Sequence, residues 1–269
     1  RLVSQQTGSV NAGQFANFGG VTAGSLSING NSVNNDGWLQ SGGALDLNVG
    51  ALANRLSGTL QAGSGLSITV QQLVNSGAIS AQQGVALDAL TLDNNGRIEA
   101  QDLLLTLREK LNNLADGIVL AQRSLNLVTP QLNNDGRLMS ESATLNAKTI
   151  VNKCLLQGSA ALIADGEQFN NASEGEVISG GTLTFNETQW FSNAGKVQGE
   201  SIGVNTRKAD NSGQMLGLSA LSLSGTESLT NSGNLLSKGK LSLTSEQLDN
   251  QGQIAAPELN INTRQMTNN

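Results

Sequence analysis

A nine-residue frame returns along the whole chain: LVNSGAISA at 73–81, LDNNGRIEA at 92–100, LNNDGRLMS at 132–140, LTNSGNLLS at 229–237 and LDNQGQIAA at 248–256. Written as Ω-x-N-x-G-x-Ω-x-s, with Ω apolar and s small, it starts at Phe15, Val33, Leu52, Leu73, Leu92, Leu111, Leu132, Ile150, Phe169, Phe191, Ala209, Leu229, Leu248 and Met266. The spacings run from 18 to 22 residues, with a mean near 19. Two residues after each start stands an asparagine: Asn17, Asn35, Asn54, Asn75, Asn94, Asn113, Asn134, Asn152, Asn171, Asn193, Asn211, Asn231, Asn250 and Asn268. No copy lacks it, and a period kept this strictly constrains the fold more than any other property of the sequence.

Each frame continues into alternation. Two positions past the glycine lies an aliphatic residue such as Leu39, Ile79, Ile98, Val119 or Leu235, and two further on a small one such as Ser41, Ala81, Ala100, Ala121 or Ser237. An Ω-x-Ω pair follows in most copies, among them Leu45–Leu47, Leu125–Leu127, Leu183–Phe185, Leu221–Leu223 and Leu241–Leu243. Alternation at period two marks short strands with one face inward, and no helical period is sustained. A strand buried on one face needs copies of itself to stack on. The expected fold is all-β: a right-handed parallel β-helix of 13–14 coils of about 19 residues, running through residues 1–269 as one segment. At one strand spacing per coil it would be roughly 60–65 Å long.

The asparagine and glycine mark a corner in this reading. A corner commonly needs φ > 0, which glycine supplies and asparagine tolerates. Asparagines at the same corner of every coil can also join amide to amide in a ladder, so Asn35, Asn54, Asn75, Asn94, Asn113, Asn134, Asn152, Asn171, Asn193, Asn211, Asn231 and Asn250 are read as structural.

Composition narrows the chemistry. Fifteen basic and 21 acidic side chains leave a net charge of −6, which is no field for drawing nucleic acid. The apolar runs are too short to cross a bilayer, so no membrane insertion is expected. With no His, there is no His-based acid/base step or His metal ligand. One Cys allows neither an internal disulfide nor a thiolate zinc site. No cofactor is expected. Arg1 is not a signal-peptide start and Asn269 falls inside a repeat, so the sequence reads as a segment of something longer.

The pattern L-x-N-x-G-x-I-x-A…L-x-L, from about Phe15 to Met266, resembles the filamentous haemagglutinin repeat family. These repeats build the shafts of two-partner-secretion exoproteins, including haemagglutinin-type adhesins and contact-dependent growth-inhibition effectors of the CdiA type. The resemblance implies a secreted or cell-surface bacterial protein. It also implies an outer-membrane secretion partner acting elsewhere in the protein, and a receptor, protein or glycan, on the outer membrane or a host cell. It does not imply catalysis.

Function then belongs where coils depart from the frame. In LANRLSG (52–58), LNNLADG (111–117) and FNNASEG (169–175) two extra residues separate asparagine from glycine, and the starts lie 59 and 58 residues apart, three coils each time. Arg55 and Leu56, Leu114 and Ala115, and Ala172 and Ser173 would project from one column and could touch a partner; insertions drifting at a tolerant corner are the plainer account. Trp38 follows the corner glycine where other coils carry Arg97, Arg137 or Lys196, so it faces solvent and is either a contact point for protein or sugar or a ring lying over a neighbouring leucine. Trp190, before the core residue Phe191, is open to the same two readings. Cys154 takes the glycine position of its coil and reads as a small buried thiol. The stretch 164–176 gathers Asp165, Glu167, Glu174 and Glu176 without calcium-repeat spacing, and reads as a solvated acidic patch.

Two other architectures share this physics. A polysaccharide-active β-helix enzyme needs carboxylates clustered on one face beside Lys or Arg, whereas the acids here are scattered over the corners. An autotransporter passenger domain has a less regular repeat.

Overall fold

The computed structural model describes all 269 residues. Strands hold 81% of them and helices none, and the chain winds as a parallel β-solenoid of about 14 turns of ~19 residues. Every pairing is parallel and joins a strand to its counterpart one coil on: Leu45 aligns with Leu66, Leu47 with Ile68 and Asn54 with Asn75. The frame therefore repeats in space in the register it has in sequence, and like residues stack on like. That register is strongly fixed, because a one-residue slip would turn every inward leucine to solvent.

The chain divides into two compact units, Arg1–Ser140 and Glu141–Asn269. In the first, the Ω column after the corner is Leu39, Leu60, Ile79, Ile98 and Val119, all buried. The Ω-x-Ω pairs Leu45–Leu47, Leu66–Ile68 and Leu103–Leu105 are buried too, so this core is aliphatic. Phe15, in the first coil, is half-buried. In the second unit the core is partly aromatic. Phe169 and Phe191 stack with centroids 5.7 Å apart, and Phe185 meets them edge-on at 4.7 and 4.9 Å. Each fully buried Leu or Phe contributes about 1.5–3 kcal/mol.

The corner glycines are not there for a left-handed backbone. No residue in the chain, glycine or other, has a positive φ. What the corner demands is close approach. A Cβ on Gly37 would overlap the carbonyl oxygen of Gly19, and one on Gly96 the carbonyl of Gly77. The corners are stacked so tightly because Trp38 N donates to Gly19 O at 2.9 Å and Arg97 N to Gly77 O at 2.9 Å. Glycine satisfies a packing limit here, and the expectation of φ > 0 is corrected to that.

Candidate contact surface

The corner is built around the asparagines. In Arg1–Ser140, Asn17 Nδ2 donates to Asn35 Oδ1, Asn35 to Asn54, Asn54 to Asn75, Asn75 to Asn94, Asn94 to Asn113 and Asn113 to Asn134, at 2.7–2.9 Å. In Glu141–Asn269 the same chain runs Asn152, Asn171, Asn193, Asn211, Asn231, Asn250, Asn268, at 2.7–2.8 Å. All the amides point one way along the chain, so their dipoles add and each bond polarises the next. The asparagines from Asn17 to Asn250 are buried. Unpaired, each would cost roughly 1–3 kcal/mol.

The three longer corners share one construction. Gly58 N donates to Arg55 O at 2.7 Å, Gly117 N to Leu114 O at 2.8 Å and Gly175 N to Ala172 O at 2.9 Å, each closing a tight turn. The ladder asparagine braces it from inside, donating to the carbonyl of Gly58, Gly117 or Gly175 at 3.0–3.2 Å. The extra residues therefore leave the ladder intact and lie outside it. Leu56 is 86% exposed; Leu114 is exposed, as are Arg55, Ala115 and Ser173, and Ala172 is half-buried. Arg55 reaches back to Asp36 at 3.5 Å, and Ser57 Oγ donates to Asp36 O at 2.8 Å.

Trp38 stands beside this corner, aligned with Gly20 of the coil before and Thr59 of the coil after. Its indole lies over Gly20, where a Cβ would overlap the ring. The ring thus rests on a glycine, not a leucine, and stays 46% exposed. Trp190 is held differently: its Nε1 donates to Asp210 Oδ2 at 2.8 Å, which fixes the ring at the surface. Phe18 was passed over by the sequence reading. It fills the x of Asn17-Phe18-Gly19, where other coils carry Asp36, Ser76, Asn95 or Asp135, and it is 77% exposed. An aromatic at a position that the other coils of common spacing fill with small or polar residues was the available signal. Phe18, Trp38 and Leu56 thus stand exposed at or beside the same corner in successive coils.

Elsewhere, a shallow groove of about 450 Å³ in the first unit is lined by Asp46, Ser67, Ala86 and exposed Leu104. Beside it the Ser124 hydroxyl, then the Arg123 guanidinium, hold Asp102 below the usual carboxylate range. Cys154 is half-buried, not buried: it sits at the corner itself, where its carbonyl accepts from Asn152 Nδ2 at 3.1 Å and from Glu176 N at 2.6 Å. The sequence reading also missed Glu187, the one buried acidic side chain. It continues the inward alternation of Leu183 and Phe185 by one more step, and that spacing was the signal.

A family model described as the haemagglutinin repeat matches residues 1–56, 40–113, 103–153 and 143–269. The 16S rRNA endonuclease CdiA of Enterobacter cloacae subsp. cloacae is 30% identical over 230 residues, 86% of this chain and 7% of that protein. The tRNA nuclease CdiA of Yersinia mollaretii is 28% identical over 264 residues, 88% of this chain and 9% of that protein. The deoxyribonuclease CdiA of Dickeya dadantii is 29% identical over 226 residues, 83% of this chain and 7% of that protein. The chain thus spans less than a tenth of the length of these relatives. No solved structure matches, and no helix is long and apolar enough to cross a membrane. With the repeat matched from residue 1 to residue 269 and its asparagines joined coil to coil, the chain belongs to the haemagglutinin repeat family.

Proposed function

We propose that this chain is a non-catalytic segment of the shaft of a two-partner-secretion exoprotein of the CdiA type, carried outside the cell to present a distant domain to another cell. The nuclease names of the relatives describe proteins more than ten times longer than the matched part, and what matches is the repeat. A solenoid with a saturated core and stacked corners suits a role of reach and stiffness. An outer-membrane partner would export it through a region outside this chain.

We further propose that the Asn-x-Gly corner touches the target surface through Trp38 and the longer corners at Arg55–Leu56, Leu114–Ala115 and Ala172–Ser173, with Trp190 as a further contact. The observation that supports this most is the exposure of Phe18, Trp38, Leu56 and Leu114 at or beside one corner, in a molecule whose inward apolar residues are buried outside its first and last coils. Exposed aromatic and apolar groups at a rim are the usual anchors of recognition. The test is saturable binding of the labelled chain to bacteria and to epithelial cells side by side, with Trp38→Ala and a variant lacking the extra corner residues. Binding to bacteria that either variant loses supports a receptor-contacting part of a growth-inhibition effector. The same loss on epithelial cells supports a host adhesin. Binding to neither cell refutes the contact role and leaves a spacer.

A further inference from the structure

In the column of residues that directly follow the corner glycine, Trp38 is the only tryptophan, and Gly20, aligned with it one coil back, is the only glycine. The two belong together. The indole Cε2, Nε1 and Cζ2 occupy the place that a Cβ on Gly20 would take, so the ring rests on backbone and turns its other face outward. The Trp38 peptide is held from both sides. Its N donates to Gly19 O at 2.9 Å, and its O accepts from the ladder amide of Asn17 at 3.2 Å. The platform is therefore set before any ligand arrives, which lowers the entropic cost of binding.

Polar groups continue this face along the coils. Thr59 and Gln61 are aligned with Trp38 and Gln40, and Ala78 and Ser80 follow in the same register. Gln40 Nε2 donates to Gln61 Oε1 at 3.3 Å. Beyond Gln61 a groove of about 400 Å³ is lined by Ser80, Gln82, Glu99, Gln101 and Gln122 among others. Gln82 and Gln122 are exposed and Gln101 is half-buried. The charges along this stretch cancel: Arg97 pairs with Glu99 at 2.7 Å, and at the corner beside Trp38, Arg55 pairs with Asp36 at 3.5 Å.

This combination selects a class of ligand. An open aromatic face beside amides and hydroxyls matches a pyranose, which offers C–H groups to the indole and a rim of hydroxyls to the amides. A protein hot spot is enclosed by neighbours that exclude water, whereas the ring here has Gly20 and Thr59 in register and Gln40 and Gln61 beside it. Paired charges give little hold on a sulfated or sialylated chain. The coils step by ~4.8 Å, close to the length of one sugar residue in an extended chain. An oligosaccharide lying along the coils therefore meets a fresh set of polar groups with each residue.

We propose that Trp38, Gln40 and Gln61, continued by the groove of Ser80, Gln82 and Gln122, bind an extended neutral oligosaccharide, with one pyranose stacked on the Trp38 indole. This rests on the reading of Trp38 as a contact and gives that contact a ligand class.

The test begins with the 269-residue chain carrying Trp190→Phe, which leaves Trp38 as its sole indole. Its fluorescence is followed while maltohexaose, cellohexaose, mannohexaose, β-1,4-galactohexaose and, as an anionic control, a heparin hexasaccharide are added. At least one neutral sugar should give a saturable change with a Kd of about 1 mM or tighter, and the heparin fragment none. Calorimetry with the same sugar then compares variants of the unsubstituted chain. Trp38→Ala should weaken binding about tenfold or more, Trp38→Phe about threefold at most, and Gln61→Ala about threefold. No saturable change with any of the four neutral sugars overturns the proposal. So does binding undiminished in Trp38→Ala, or heparin bound more tightly than every neutral sugar. Should Trp190→Phe fail to fold, calorimetry on the unsubstituted chain gives the same answer. The two readings fail separately. Cell binding that Trp38→Ala abolishes but periodate oxidation of the cell-surface sugars leaves intact overturns the glycan and assigns Trp38 to a protein receptor. Sugar binding by a chain that binds neither cell type supports the site and refutes the contact role.

Discussion

The inward position two residues beyond the Ω-x-Ω pair is treated differently in the two units. In Arg1–Ser140 it runs Gly30, Val49, Val70, Ala89, Leu107, Thr129, with four buried apolar residues in a row. In Glu141–Asn269 it runs Ala147, Gly166, Glu187, Thr206, Gly225, Ser245, Thr263. The threonines are cheap to hold there, because Thr129, Thr206 and Thr263 each donate to the carbonyl two residues on, at 3.0–3.3 Å. Glu187 has no such outlet. Both units keep apolar Ω columns and the asparagine ladder, so this difference in polarity is confined to one position in about nineteen. A solenoid of this kind can change the chemistry of one corner without disturbing the rest, because each coil contacts chiefly its neighbours. Corners of that sort, and not the Ω columns, are where such a chain can acquire a specific property.

The harshest way to break the comparison is to place the second unit's residue in the first. Val70→Glu puts a carboxyl between Val49 and Ala89 with no glycine beside it and no spare cation. Overpacking and charge burial together should cost roughly 5–8 kcal/mol at pH 8. Hydrogen exchange should show protection lost in Arg1–Ser140 while Glu141–Asn269 keeps most of its own. Global protection as in the unsubstituted chain would show that this position is not core.

The reverse change should stabilise. The Glu187 carboxyl rises from an ordinary 4.5 to about 8. A carboxyl raised on folding contributes its stability in full below its unfolded value, and that contribution is lost as pH climbs towards the folded one. The loss is on the order of 3–5 kcal/mol between pH 4.5 and 8. In metal-free buffer, Glu187→Gln should flatten the pH dependence of melting across that window and raise the melting point most at pH 8. An equal rise at pH 4.5 and pH 8 would mean that titration of Glu187 is not the cause.

The ladder sharpens the comparison from the other side, because there the units agree. Asn94→Ala removes the acceptor for Asn75 and the donor for Asn113; Asn211→Ala does the same between Asn193 and Asn231. Each should cost roughly 2–3 kcal/mol, and the two costs should match. Asn17→Ala strips only a donor from one end and should cost about half as much. Chemical denaturation with local exchange rates measures all three, and unequal costs for the two interior sites would show that the ladders are not equivalent.

Much of this was legible in the residues themselves. The period, the inward alternation and the place of the asparagines follow from sequence because stacking like on like copies the chain's periodicity into space. The reason for the corner glycines was not legible: a clash between Gly37 and the Gly19 carbonyl depends on how closely coils stack, which spacing alone does not give. Glu187 was not legible because Leu183 and Phe185 already complete the apolar pair, and a carboxylate one step further on is ordinarily solvent-facing. The exposure of Cys154 escaped because a thiol in a glycine slot looks small enough to bury.

The smallest stability change, and the most telling for function, belongs to the longer corners. Deleting Leu56 and Ser57 would return LANRLSG to the common Asn-x-Gly spacing. It removes the Gly58–Arg55 turn bond and the Ser57–Asp36 bond. It leaves the Asn35–Asn54–Asn75 rungs and the pairing of Leu60 with Leu39 and Ile79 in place. The Arg55–Asp36 ion pair is exposed and is worth at most about 1 kcal/mol. Shortening the loop also lowers its closure entropy slightly. The net change should therefore stay within about 1 kcal/mol in either direction, read as a melting shift of a few degrees at most. A much larger loss would mean that the extra residues hold the coil together and are not an appendage. With stability unchanged, any loss of cell binding on removing Leu56 can be assigned to a lost contact rather than a damaged fold. That makes this deletion the cleanest separation of a binding corner from a tolerated insertion.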